Sequence, residues 1–116
     1  MTKYSTGETD RRYQKVLSNA RTAAGKAIVG MAEHPTWGFA SVTTYDPAFN
    51  RWCGRWAART GEMHYFGTAG APGRKFCNPS GYEGQSIDIH EAGARAFAES
   101  LERELQIKAY VTAAMD

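Results

Sequence analysis

The sequence predicts an α+β domain: an N-terminal helix, a three-stranded antiparallel meander, a glycine-rich loop and a C-terminal helix, with the helices on one sheet face. Three observations predict it. Residues 9–33 carry apolar side chains at steps of three and four. Residues 37–45 form a run of β-branched and aromatic residues, and residues 88–105 return to the helical period. At 116 residues the chain can bury one core but not two, so 1–116 is read as a single domain.

In the first helix the stripe is Tyr13, Val16, Leu17, Ala20, Ala24, Ala27, Ile28 and Met31. Thr9 is the expected N-cap and Asp10 favours the positive end of the helix dipole. Gly25 costs about 1 kcal/mol relative to alanine, which suggests close packing against a neighbour. His34-Pro35 ends the helix, because a residue before proline avoids the helical region. WGFASVTTY (37–45) is the first strand, and Asp46-Pro47-Ala48-Phe49-Asn50 reads as a turn.

The next stretch, RWCGRWAAR (51–59), has an ambiguous spacing. Arg51, Arg55 and Arg59 share one face of a helix and equally one face of a strand. Gly54, the paired tryptophans and the Thr60-Gly61 break favour a strand. MHYFG (63–67) follows as the third strand. Residues 67–84, with five glycines and two prolines, are expected to form a long loop without regular structure. Asp88 and Glu91 make a capping-box-like start to the second helix, whose stripe is Ala94, Phe97, Leu101 and Leu105. Over 106–112 the alternation of Ile107, Ala109 and Val111 with polar residues suits a short edge strand, or else the helix continues.

Hydrophobic residues are 42% of the chain and charged ones 22%, which places it among globular rather than disordered proteins. No apolar run is long enough to span a bilayer, and MTKYSTGETDRRYQK is not a signal peptide. A cytoplasmic protein with Cys53 and Cys77 reduced is therefore expected. Residues 1–80 hold eleven Lys/Arg against five Asp/Glu, and residues 81–116 three against seven. A basic front half fits an anionic partner, or else the acidic helix neutralises it by packing alongside.

Motifs that would name a reaction are missing. Cys53, His64, Cys77 and His90 lie 11, 13 and 13 positions apart, without the close ligand pairs of structural zinc sites, so neither metal nor cofactor is expected. Gly67, Gly70 and Gly73 precede Arg74-Lys75, but the lysine is not followed by Ser/Thr and the start of a helix, as a phosphate-binding P-loop requires. There is no nucleophile elbow. Glu62, His64, Glu83 and His90 are the groups that could meet for acid–base chemistry.

As a strand, 51–59 would bury Trp52 and Trp56 and lay Arg51, Arg55 and Arg59 along the open sheet face, where guanidinium forks suit phosphates. With His64, Arg74 and Lys75 they form the expected binding surface. GRWAARTGEMHYFGTAG followed by IHEAGARAFAE resembles the plant ethylene-response type of DNA-binding domain, with three strands and an alanine-rich helix. That likeness implies that Arg55, Trp56 and Arg59 read DNA from a sheet. It covers under half the chain. The family joins its third strand to the helix by a short turn, where this chain has residues 67–84, and the family's arginine-rich first strand has no counterpart. The helix–sheet–helix order is also similar to double-stranded-RNA-binding domains, whose lysine-rich helix start is here Asp88-Ile89-His90-Glu91.

The expected function is a small non-enzymatic module that binds nucleic acid or a nucleoprotein complex, without a membrane. The alternative is a phage- or plasmid-type protein-binding inhibitor or accessory protein of the anti-CRISPR kind. A small enzyme comes last.

Overall fold

Along residues 3–61 and 73–115, which the computed structural model describes, the order is α1 (Lys3–Ala27), β1 (Gly38–Thr44), α2 (Pro47–Thr60), β2 (Arg74–Cys77), α3 (Ile87–Leu105) and β3 (Ala109–Met115). The strands form one antiparallel sheet in the order β2-β1-β3, with helices packed against it. The α+β class is as the sequence predicts, and of the two readings left open for 106–112 the strand is the one found, running from Ala109 to Met115. The membership of the sheet is not as predicted.

Residues 51–59 are helical, and the predicted strand there is corrected to α2. The supposed turn is the start of this helix. The Asp46 side chain accepts a hydrogen bond from the Phe49 N–H at 2.9 Å, and Pro47 supplies the fixed φ of a first helical turn. Gly61, at φ 75°, closes the other end in the left-handed conformation. Phe49, Trp52 and Cys53 are buried on one side, at the i, i+3 and i+4 spacing of a helix face.

The sheet takes its third strand from the predicted loop: RKFC (74–77) pairs with β1 through Ser41↔Cys77 to Thr44↔Arg74. Tertiary pairing wins here over local composition, with buried Phe76 beside Val42 as the anchor. The predicted strand 63–67 lies outside the described residues.

In α1, Tyr13, Val16, Leu17, Ala20 and Ala24 are buried as predicted, but the helix starts before Thr9 and ends at Ala27. Gly30 turns the chain at φ 79°, so His34-Pro35 is not the terminator. Among the described residues, no atom outside its own helix lies within 4 Å of a Cβ placed on Gly25. The close packing expected there occurs at Gly93, whose Cβ would sit 2.6 Å from the Ser80 Cβ. The helix α3 is capped by Ser86 without a side-chain hydrogen bond, while Asp88 lies in its first turn. So the Asp88–Glu91 capping box does not form.

The two long helices pack together, Asn19 donating to the Glu104 carboxylate at 3.1 Å. The core joins α1 (Tyr13, Leu17), α2 (Phe49, Trp52), the sheet (Val42, Phe76) and α3 (Phe97, Leu101). The rings of Phe76 and Phe97, 5.3 Å apart, link the sheet to α3. The far face of the sheet exposes Lys75, Cys77 and Tyr110, with Tyr45 edge-on to Tyr110 at 5.8 Å.

Candidate functional site

Residues 47–60 contain three arginines and no acid. On a helix each step of four residues advances ~6 Å along the axis and turns ~40° beyond a full circle. Arg51, Arg55 and Arg59 therefore form a spiral stripe, and all three are exposed. The drift gives them different surroundings. Arg51 lies opposite the buried Phe49–Cys53 side. Arg59 has rotated round toward the tryptophans, and its guanidinium sits 5.0 Å from the centre of the Trp56 ring.

Asp10 of α1 fixes this end of α2. Its carboxylate accepts from the Arg59 guanidinium at 2.7 Å and from the Trp52 indole N–H at 2.7 Å. Trp52 and Trp56 stack at 5.4 Å. Among the described residues, Arg51 and Arg55 have no partner. The expected placement on the open sheet face is corrected: these arginines project from a helix. The sheet-borne arrangement implied by the ethylene-response likeness, with Arg55, Trp56 and Arg59 on a strand, is corrected with it.

Arg74 and Lys75 point to opposite sides of β2. Lys75 is exposed on the face away from the helices. Arg74 reaches across α2, its Nε donating to the Asn50 carbonyl at 3.2 Å. Gly54 makes this possible, because a side chain there would run into the Arg74 guanidinium. Arg74 thus braces α2 against the sheet. His64 and Glu62 lie outside the described residues.

A groove of about 200 Å³ separates the helices, lined by Gln14, Leu17, Ser18 and Arg21 of α1 and Trp56 of α2. Its volume is comparable to the roughly 150 Å³ of a cavity that holds benzene. The stacked Trp52 and the overlying Arg59 already engage the indole, so it is not a free platform for a base.

The remaining described candidates lie on different parts of the chain. Cys53 is buried in α2 and Cys77 is exposed on β2, and both are free thiols. His90 is buried on α3, its Nε2 2.8 Å from the Gly84 carbonyl, between the rings of Tyr82 and Phe39. Glu83 is exposed. Among the described residues no three His, Cys, Asp or Glu side chains gather as metal ligands would. No described helix is long and apolar enough to cross a membrane.

Burial pushes the Cys53 thiol up to about 12, against a smaller opposing pull from Arg74 and Arg21. It is no nucleophile at neutral pH. A thiol reagent such as Ellman's is expected to modify Cys77 rapidly in the native protein and Cys53 only on unfolding. The raised value also sets a sign: the unfolded thiol ionises above its ordinary 9.0 while the folded one does not. Stability is therefore retained below pH 9 and falls as pH rises toward 12. The melting temperature should drop more steeply above pH 9 in the wild type than in Cys53→Ala. Equal slopes would remove this thiol from the alkaline transition.

No family model, curated protein or solved structure matches the chain.

Proposed function

We propose that the chain is a small binding module that engages nucleic acid through the arginine face of α2. One observation carries the reading: a helix without acidic residues presents three exposed arginines, two of which have no partner among the described residues. Guanidinium groups left unpaired on an ordered helix suit the oxygens of a phosphate backbone. Arg21 in the adjoining groove and exposed Arg11 and Lys15 on α1 extend the same charge. With Trp56 already engaged, the contact is to phosphates rather than to stacked bases, and discrimination between sequences is expected to be weak.

The test is fluorescence anisotropy on short labelled duplexes across a salt series. Affinity should fall linearly on a log–log plot. Arg51→Ala/Arg55→Ala should flatten the slope by about 1.8, at roughly 0.9 per lost contact on duplex DNA. Arg59 is kept because it pairs with Asp10 and covers Trp56. Wild-type and double-variant curves that coincide at low salt would sink the proposal.

A second reading, a protein-binding inhibitor or accessory, has its own observation in its favour. Trp37, Phe39, Tyr45 and Tyr110 are all more than half exposed on or beside β1 and β3, and aromatic side chains of this kind serve as interface anchors. A nuclease-resistant, stoichiometric protein partner that is lost in Tyr110→Ser but kept in Arg51→Ala/Arg55→Ala would favour it.

A further inference from the structure

The two edges of the sheet are unlike. The β2 edge is four residues long and opens with Arg74-Lys75, a short charged edge of the kind that resists pairing. The β3 edge is seven residues, AYVTAAM, with no charge, proline or glycine. Among the described residues it is an outer strand, bonded on one side only.

Which backbone groups of β3 face outward follows from the alternation of an antiparallel ladder. The Ala40 carbonyl accepts from the Asn78 N–H, and the Thr44 carbonyl from the Asn50 side chain. Both carbonyls therefore point away from β3, and the odd-numbered residues of β1 make the bonds to it. Their partners are Ala114, Thr112 and Tyr110, so Ala109, Val111, Ala113 and Met115 turn their amides outward. Ala109 bears this out, because its N–H donates to the Glu102 carboxylate at 3.0 Å instead of to a strand. That bond removes Ala109 from the free edge and leaves Val111, Ala113 and Met115.

We infer that the β3 edge pairs with the β3 edge of a second copy of this chain, antiparallel about a two-fold axis at Ala113, to give one continuous six-stranded sheet. The three outward residues are self-complementary in this register: Ala113 meets Ala113, and Val111 meets Met115 in both directions. Each such pair exchanges two backbone hydrogen bonds. The small side chain on the axis lets the strands approach. Met115, 69% exposed in the single chain, would cover the half-buried Val111 of the other copy. Both are apolar, so the cross-strand contact buries apolar surface on each side. An isologous edge closes after two copies, so growth stops at the dimer. The inference does not depend on the binding proposal, since association is measured without nucleic acid. It would leave the two α2 faces on the β2 side of each copy, away from the junction.

The experiment is sedimentation equilibrium from about 5 to about 500 µM, a range wide enough for an interface smaller than the standard size. The wild type should rise from 12.8 kDa to twice that mass and no further. Ala113→Pro removes an outward N–H but no bond to β1, and Ala113→Lys sets two ammonium groups face to face on the axis. Each should stay at 12.8 kDa throughout with wild-type circular dichroism; if one misfolds, the other decides. A wild type that stays monomeric at the highest concentration overturns the inference. So does an open-ended assembly, or a dimer that survives in the folded variants.

Discussion

Phe49→Ala is expected to lower the unfolding free energy by about 3–5 kcal/mol, the range for deleting a buried aromatic ring. That is a large part of the roughly 5–15 kcal/mol that holds a domain folded. Phe49 is fully buried, and its ring lies within 5.3 Å of Tyr13, 6.4 Å of Trp52 and 6.1 Å of Phe76. It therefore touches α1, its own helix and the sheet at once. Removal leaves a cavity bounded by three elements that cannot all move into it. Urea denaturation measures the loss as a lower midpoint. Tryptophan emission should shift to the red in the native baseline, because Trp52 loses the neighbour that shields it. A change under 1 kcal/mol would mean that α2 is not held by this ring.

The position of this ring explains how α2 was concealed in the sequence. Phe49, Trp52, Cys53 and Trp56 have helical spacing, but the pattern begins inside Asp46-Pro47-Ala48-Phe49-Asn50, where aspartate and proline also spell a turn. The same two residues are an N-cap and a first-turn proline, and Thr60-Gly61 is as good a helix end as a strand break. Gly54 and two tryptophans favour a strand on local propensity. In the fold the glycine makes room for Arg74, which arrives from a distant part of the chain. Long helices with wide apolar stripes, α1 and α3, were legible because their signal is repeated over many turns. The alternation of Ile107, Ala109 and Val111 is too short to separate strand from continued helix, and pairing with β1 makes Ala109–Met115 the strand β3. Four-residue β2 was not legible, because its pairing with β1 is the cause of its structure.

The arginine stripe was legible in a restricted sense. Steps of four residues put Arg51, Arg55 and Arg59 on a common side in helix and strand alike, so their grouping survived an incorrect element. Their distinct surroundings did not follow from spacing. Arg59 finds Asp10, and Arg74 finds the Asn50 carbonyl, through contacts between residues far apart in sequence. Such pairs come together only once the topology is set.

Asn50→Ala is expected to cost about 2–4 kcal/mol, from two lost hydrogen bonds and the buried groups they leave unmatched. The Asn50 amide donates to the Thr44 carbonyl at 2.8 Å, and its oxygen accepts from the Thr44 hydroxyl at 2.7 Å. Both residues are buried, so neither Thr44 group can turn to water. This pair fastens the end of β1 to the first turn of α2 and so sets the direction in which the arginine stripe leaves the sheet. Thr44→Val should restore part of the loss in the double variant, because it deletes the orphaned hydroxyl while keeping the side-chain volume. A double-mutant cycle in urea then gives a coupling energy of about 1–2 kcal/mol. Strict additivity would show that the two side chains act independently and that α2 takes its orientation from Phe49 and Arg74 alone.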